Sequence, residues 1–314
     1  MKQLKETAAK IKSMEIRGAG RIARAAAAEL WDYAQRLAAD DIGEFNEKMK
    51  LAEELLVSTR PTAVSLPNAV RAVMRYKGKT VAEARMNIKK LADEFITGSE
   101  NAVKRIGEIG AKRVRDGDTI MTHCNSSAAI SIIAAAHAQG KDITVIATES
   151  RPRLQGLLTI KQLDSIGIKT SLIVDSAVRY FMKEVDLVVM GADAVTVNGS
   201  VINKIGTSQL AMAAHESRTN VIIAAETYKF SPRTILGELV EIEERDAAEV
   251  LSREKLAELP NVSVRNPAFD VTPREYIDLI CTEVGAIPPE MAYVIIKEFL
   301  GWGVEEMNSN QGFH

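Results

Sequence analysis

A thiol, a carboxylate and several cations stand in short clusters along this chain, and their types and spacing point to proton transfer on an anionic substrate. His123-Cys124-Asn125-Ser126-Ser127 follows the apolar run Thr119 to Thr122 and opens a helical stretch. A thiol there lies beside the unpaired N–H groups of a helix N-terminus, which favours the thiolate. An ordinary thiol titrates near ~8.5, so a fall of about one unit multiplies the ionised fraction at neutral pH several-fold. Ser126, Ser127 and the amides of the same turn are suited to holding a phosphate. The competing reading makes Cys124 a small buried hydrophobe at a strand end. Gly191-Ala192-Asp193 ends another apolar run, where a carboxylate either exchanges protons with a sugar oxygen or caps the turn that follows.

The remaining clusters are cationic. Asn203-Lys204 offers an amide and an ammonium for hydroxyls or phosphate, unless it is simply solvated. Arg17-Gly18-Ala19-Gly20-Arg21 places two glycines between two arginines, so backbone can approach an anion while guanidinium groups clamp its oxygens; a tight helix crossing is the alternative. It does not follow a strand and is therefore no dinucleotide fingerprint. Arg60-Pro61-Thr62 presets a loop arginine, and Lys229 is a third cation beyond the run that ends at Ala225. Cys281, within the apolar stretch Tyr276 to Val284, reads as a buried residue on a helix face.

The elements that must position these groups change character part-way along the chain. From Lys2 to about Phe95 apolar residues recur three and four apart, as in Ile22 to Leu37, which predicts a helical domain over 1–95 with loops marked by Gly18 and Gly20 and by Pro61 and Pro67. Helical spacing over about 80–114 predicts a long helix that joins it to a second domain, 96–314. After Asp116-Gly117-Asp118 short apolar runs alternate with helical stretches. Strands are expected at Thr119 to Thr122, Ile143 to Ala147, Ser171 to Val174, Leu187 to Met190 and Val221 to Ala225. Helices are expected at Ser127 to Ala138, Gln155 to Ile166, Val178 to Glu184 and Thr207 to Ser217. The fold class is α/β, with helices first and a Rossmann-like, mostly parallel sheet after them. In such sheets ligands sit at the carboxyl ends of the strands. Asn198-Gly199 between valines predicts a type I′ hairpin just after Asp193.

Composition narrows the function classes. Forty basic against forty-two acidic residues give a net charge of −2, without a run of one sign, which argues against nucleic acid as a ligand. Two cysteines and four histidines show neither metal-ligand nor disulfide spacing, so no metal is expected and free thiols in a reducing, cytoplasmic setting are. No apolar stretch reaches the ~18 residues of a membrane span. The apolar segment Met291 to Leu300 is a candidate surface between subunits.

Taken in order, Arg17-Gly18-Ala19-Gly20, Ser58-Thr59-Arg60-Pro61-Thr62, His123-Cys124-Asn125-Ser126, Gly191-Ala192-Asp193 and Asn198-Gly199 through Asn203-Lys204-Ile205-Gly206-Thr207 resemble one superfamily over nearly the whole chain. It unites methylthioribose-1-phosphate isomerase, archaeal ribose-1,5-bisphosphate isomerase and the regulatory subunits of the exchange factor for eukaryotic initiation factor two. The resemblance implies a helical N-terminal domain and a Rossmann-like C-terminal one. It implies Cys124 and Asp193 as the catalytic pair of an isomerase, a pair that the regulatory subunits generally lack. Substrate contacts would fall on Arg17, Gly18, Ala19, Gly20, Arg60, Ser126, Ser127, Ala128, Asn203, Lys204 and Lys229.

Methylthioribose enzymes typically read Arg-Gly-Ala-Pro in the first loop; Gly20-Arg21 followed by Ile22-Ala23-Arg24 is as the ribose-1,5-bisphosphate isomerases have it. The expected activity is therefore cofactor-free aldose–ketose isomerisation of ribose 1,5-bisphosphate to ribulose 1,5-bisphosphate, in archaeal salvage of AMP and nucleosides. The expected partners are a sugar bisphosphate and further copies of the chain, as a dimer or hexamer. The alternatives are a methylthioribose-1-phosphate isomerase and a non-catalytic regulatory subunit. A covalent cysteine hydrolase is disfavoured, because strand alternation turns the adjacent His123 to the opposite face.

Overall fold

The computed structural model describes residues 1–16, 18–60, 63–236 and 240–301. The chain forms two compact units, Met1–Ala102 and Val103–His314.

The first unit is helical: α1 (Lys2–Lys12), α2 (Ala19–Arg36), α3 (Ile42–Val57), α4 (Ser65–Met74) and the first part of α5 (Val81–Gly110). Alanines at the helical repeat let α2 lie close to its neighbours, and it buries Ile22, Ala23, Ala26, Ala27, Leu30, Tyr33 and Ala34. Asp41 caps α3 by accepting the Glu44 N–H at 2.9 Å, and Glu44 reaches back to the Asp40 N–H at 2.8 Å, so one amide of the first turn and one just before the helix are satisfied. Two punctuation marks do not break helices. Gly20 sits in the first turn of α2 and Pro67 in the first turn of α4, where a missing N–H is harmless.

The second unit carries the alternating pattern. Its strands are β1 (Thr119–Thr122), β2 (Thr144–Thr148), β3 (Lys169–Ile173), β4 (Leu187–Gly191), β5 (Ala194–Val195), β6 (Val201–Lys204), β7 (Asn220–Ala224), β8 (Phe269–Thr272), β9 (Leu279–Thr282) and β10 (Gly285–Ile287). Its helices include α6 (Ser127–Ala138), α7 (Gly156–Asp164), α8 (Val178–Phe181) and α9 (Thr207–Ser217). Seven strands form one sheet in the order β10-β9-β7-β4-β1-β2-β3, parallel except for the β9–β10 pair. Every residue of β4 is buried, as a strand covered on both faces requires. Ile132 of α6 and Leu163 of α7 fill the core on one face, and Val178 of α8 and Leu210 of α9 fill it on the other. A small antiparallel sheet, β5-β6-β8, branches off after β4.

Two expectations are corrected here. The residues from Leu279 form a strand and not a helix: Cys281 is a fully buried β9 residue paired with Ala224 of β7. A four-residue apolar run cannot be assigned by periodicity, and the open edge of β7 decided its conformation. The hairpin at Asn198-Gly199 is not type I′, which needs positive φ at both central residues. Only Gly199 has it, at +84°; the Gly199 N–H closes a turn on the Thr196 carbonyl and Thr196 N–H pairs with the Ser200 carbonyl, both at 2.9 Å. This is a turn followed by a left-handed glycine, which places one more residue in the loop.

The last turns of α5 press against α6. A β-carbon on Gly107 would lie 2.7 Å from the Ser131 carbonyl oxygen, whereas one on Gly98, earlier in the same helix, meets nothing within 4 Å. Alanine gains about 1 kcal/mol over glycine in a helix, while overpacking against backbone costs about 1–3 kcal/mol. Gly98→Ala is therefore expected to raise the urea midpoint of unfolding, and Gly107→Ala to lower it, with a net loss of up to about 2 kcal/mol. A stabilised Gly107→Ala protein would show that the two helices separate freely.

Candidate active site

β1 lies between β2 and β4, and the chain leaves it toward β2 and β3 before returning on the other side to β4. Here the strand order reverses, and loops that leave the carboxyl ends of β1 and β4 diverge to open a crevice. The paired register Met121↔Val188 brings the ends of the two strands side by side. Cys124 follows β1 and Asp193 follows β4, so the two residues expected to exchange protons flank this crevice.

Cys124 is held through its backbone. Its φ is +66°, and that of Ser150, which follows β2, is +59°. A non-glycine residue in this region carries about 1–3 kcal/mol of strain, so surrounding bonds must enforce it. The Cys124 N–H donates to Ser150 Oγ at 2.8 Å, and Thr159 Oγ1 donates to the Cys124 carbonyl at 2.6 Å. Ser150 is itself held by Asp175, whose carboxylate accepts the Ser150 N–H at 2.8 Å. Asn125 turns away toward α7, donating to Thr159 Oγ1 at 3.0 Å.

His123 serves the scaffold. Its Nε2 lies 2.8 Å from the Ile205 carbonyl, which can only accept, so Nε2 carries the proton and Nδ1 accepts from Thr148 Oγ1 at 2.6 Å. Burial holds its pKa below the ordinary histidine value. With both nitrogens engaged, His123 is no base for the thiol.

Ser126 caps α6, its Oγ accepting the Ala129 N–H at 3.3 Å. The amides of Ser127 and Ala128 belong to the first turn of that helix. Ser126 also packs on the end of β4: a β-carbon on Gly191 would lie 2.2 Å from Ser126 Oγ, which is why a glycine precedes Ala192-Asp193. The Asp193 N–H donates to the Ile202 carbonyl at 2.9 Å, tying it to β6.

The end of β6 brings in Asn203 and Lys204, which are 6% and 5% exposed, so neither is a solvated surface group. Asn203 Nδ2 donates to Thr207 Oγ1 at 3.0 Å. Lys204 Nζ donates to the Ala268 carbonyl at 3.0 Å and stands 5.0 Å from the centre of the Phe269 ring. Burial lowers the Lys204 pKa; Cys124 and Asp193 oppose the fall and Arg245 adds to it.

The electrostatics of Cys124 correct the expected thiolate. Burial pushes the thiol up to about 11, and the Asp193 carboxylate adds to the rise; Lys204, a hydrogen bond at the Asn125 backbone and Arg245 pull the other way without overcoming it. Part of Cys124 reaches the surface, but it stands two residues before the cap of α6 and its N–H points to Ser150. The helix-terminus effect decays within a turn, and desolvation wins.

Lys229 is 7% exposed, in a 3₁₀ turn beyond the carboxyl end of β7. Its Nζ lies 2.7 Å from Glu226 Oε2, and Tyr228 donates to the other carboxylate oxygen at 3.0 Å. Burial works against the Glu226 charge, yet the Lys229 cation and the hydrogen bonds keep this acid below its ordinary pKa.

The remaining predicted residues belong to the helical unit. Arg17 lies outside the described residues. Gly18, with φ +90°, precedes α2, and Ala19 and Gly20 form its first turn. Arg60 reaches the Met14 sulfur, and Ser65 Oγ donates to the Ala19 carbonyl at 3.2 Å. The α1–α2 and α3–α4 loops thus meet, bringing Arg60 to the start of α2.

Sequence reasoning missed Thr148, Ser150, Thr159 and Arg245. The first three are ordinary polar residues whose role appears only when the ends of β1 and β2 and the start of α7 are adjacent. Arg245 lies in the charged run Glu241-Ile242-Glu243-Glu244-Arg245-Asp246, which carries no motif. Among the described residues no group of three or more His, Cys, Asp or Glu side chains is arranged to hold a metal ion, and no helix is long and apolar enough to cross a membrane.

The sequence model of the initiation factor 2 subunit family matches residues 15–289. The chain belongs to that family. It is similar to a protein of Archaeoglobus fulgidus named ribose 1,5-bisphosphate isomerase, with 61% identity over 98% of this chain and 96% of that one. A Methanocaldococcus jannaschii protein of the same name is 56% identical over 95% of this chain and 96% of its own length. Among solved structures, a Pyrococcus horikoshii protein described as translation initiation factor eIF-2B superposes with a TM-score of 0.79 at 34% identity, covering 92% of this chain and 98% of that one. The family therefore includes proteins named for catalysis and proteins named for translation.

A thiol that titrates near 11 reacts slowly at neutral pH. Alkylation of Cys124 by iodoacetamide, followed by peptide mass spectrometry, is expected to accelerate by roughly tenfold per pH unit from pH 7 to 10. A plateau by about pH 8 would mean that the ligand-free enzyme already holds the thiolate.

Proposed function

We propose that this chain is an aldose–ketose isomerase that converts α-D-ribose 1,5-bisphosphate to D-ribulose 1,5-bisphosphate. The observation that carries the reading is the placement of Cys124 and Asp193 at the ends of adjacent parallel strands, with the buried Lys204 cation under the electrostatic influence of both. The activity named for the two archaeal relatives supports the same substrate.

An anomeric carbon that carries phosphate cannot open to a free aldehyde, so one base is insufficient and an acid must act with it. Asp193, protonated, donates to the ring oxygen as its bond to C1 breaks. Cys124, as thiolate, removes the C2 proton, and the electron pair forms the C1–C2 double bond of an enol phosphate. The same thiol then protonates C1 while Asp193 accepts the C2 hydroxyl proton and the ketone forms. Both groups end as they began.

Burial raises the thiol, and the Asp193 charge raises it further, so the two groups share protons as a pair. Protonated Cys124 with ionised Asp193 carries the same single proton as thiolate with carboxylic acid. Transfer of that proton to Asp193 removes the carboxylate charge that opposes the thiolate and leaves Lys204 beside the new anion. The buried residues before and around Asp193, Met190, Ala192 and Lys204 among them, limit the water that could reach the enol intermediate.

Arg17, Gly18, Ala19, Gly20, Arg60, Ser126, Ser127, Ala128, Asn203, Lys204 and Lys229 are proposed to hold the phosphates and hydroxyls, contributing position rather than chemistry. Arg21, exposed beside Gly20, favours a bisphosphate over a methylthioribose phosphate, whereas Arg24 already donates to Ser99 Oγ at 3.1 Å. A cytoplasmic homo-oligomer, dimer or hexamer, acting in archaeal AMP and nucleoside salvage completes the proposal. Ala292, Ile295 and Ile296 turn inward to the sheet core, while Met291, Tyr293, Val294 and Phe299 remain exposed and would meet a second copy.

The test is turnover of ribose 1,5-bisphosphate by wild type, Cys124→Ser and Asp193→Asn, with methylthioribose 1-phosphate assayed alongside. Wild type is expected to form the ketose bisphosphate, and each variant to lose about 10²–10⁴-fold in kcat with its fold intact. Turnover of the methylthioribose compound alone would assign the neighbouring activity. Binding without turnover of either would favour the regulatory-subunit reading.

A further inference from the structure

Arg245 is a charged group of the second unit to which no role has been assigned. Its side chain is 10% exposed. Its Nε is buried and has no hydrogen-bond partner, and the nearest Glu243 oxygen stands off at 3.6 Å. A buried donor on a charged group left unsatisfied is costly, so its retention calls for an acceptor that arrives later.

The backbone that carries Arg245 is firmly held. Its N–H donates to the Asn266 carbonyl at 2.9 Å, and the Ala268 N–H donates to the Glu243 carbonyl at 2.8 Å, with Glu244 bridged to Pro267. Glu244 is further tied to Arg265 at 2.7 Å and to the Asn266 N–H at 2.8 Å. Arg153, in the loop after β2, grips Glu249 at 2.8 Å. Ala268, the residue that pairs with Glu243, is also the one whose carbonyl receives Lys204 Nζ. This strap therefore brings Arg245 to the end of the crevice where Lys204 stands, and its charge acts on both Lys204 and Cys124. A guanidinium on a fixed backbone binds a phosphate with two parallel bonds and little loss of entropy.

We propose that Arg245 is a substrate-binding residue whose buried Nε, which makes no hydrogen bond and has only the distant Glu243 carboxylate as an ion-pair partner, receives the phosphate on C1 of the sugar. The inference rests on the isomerase reading above. Cys124 removes a proton from C2 and returns it to C1, so the anion nearest the thiol is the ester on C1, whereas the C5 phosphate lies three carbons beyond C2. Two cations, Lys204 and Arg245, then face the phosphate, which gives the Nε the hydrogen bond that Glu243, at 3.6 Å, does not make.

The test compares binding of ribulose 1,5-bisphosphate and ribulose 5-phosphate, which lacks the C1 phosphate, by calorimetry on wild type, Arg245→Gln and Arg245→Lys. Arg245→Gln is expected to weaken the bisphosphate by about 10- to 100-fold and to leave the 5-phosphate within about twofold, with Arg245→Lys between. An unchanged melting temperature establishes that each variant is folded. Equal losses for both sugars, or none for either, overturn the assignment. Unchanged binding with slower Cys124 alkylation would show that Arg245 acts on the thiol alone, which also overturns it. Wild type that neither binds nor turns over these sugars would sink the isomerase reading itself. A wild type that does both, with Arg245→Gln indistinguishable from it, would sink only this inference.

Discussion

Parallel pairing of β1 with β4 is the constraint from which the crevice and its chemistry follow. Parallel strands need crossovers, and here the crossovers leave β1 in one direction and reach β4 from the other. Their loops cannot close over the common edge, and what is left between them is lined by whatever follows each strand. A thiol follows one and a carboxylate the other. Gly191 completes the arrangement, since any side chain there would displace Ser126 and with it the start of α6.

Around that edge the protein buries charge that a structural core would avoid. Lys204 and Arg245 are nearly enclosed, and Cys124 is partly enclosed beside Asp193. Desolvation penalises each charged form, which explains why thiol and ammonium move in opposite directions, the thiol up and the ammonium down. Both move toward the neutral state; Lys204 opposes the rise of the thiol and Cys124 the fall of the ammonium, while Asp193 adds to the first and Arg245 to the second. Such a cluster is poised rather than settled: a dianionic ligand or one relocated proton changes the balance for all its members. Ser150 and Thr159 fix the Cys124 backbone, with Asp175 holding Ser150 and Thr148 bonded to His123 behind them.

The local content of the site was legible in the sequence where short-range physics governs it. The apolar runs that became β1, β4 and β7 and the helices that became α6 and α9 were visible because burial on both faces of a parallel sheet leaves a continuous apolar signature. Cys124, Asp193 and Lys204 were visible because each follows such a run. Cys281 was misread because its stretch is too short for periodicity to separate strand from helix, and Asn198-Gly199 because a turn signal states where a chain reverses but not how many residues the loop takes.

Residues near one another in the chain were enough to give the α/β class, the alternation of strands and helices from β1 to β7 and the groups at those strand ends; β8 and β9 were settled by pairing with distant strands, and β10 by pairing with β9. They did not determine the state of Cys124. Spacing predicted a helix terminus that lowers the thiol pKa; the folded chain sets a burial penalty against it, and burial depends on every segment that packs around the sulfur. Arg245 shows the same division. In sequence it is one charge in an acidic run, and only the pairing of residues 243–245 with 266–268, far apart along the chain, turns it into a buried cation whose charge is felt at the thiol.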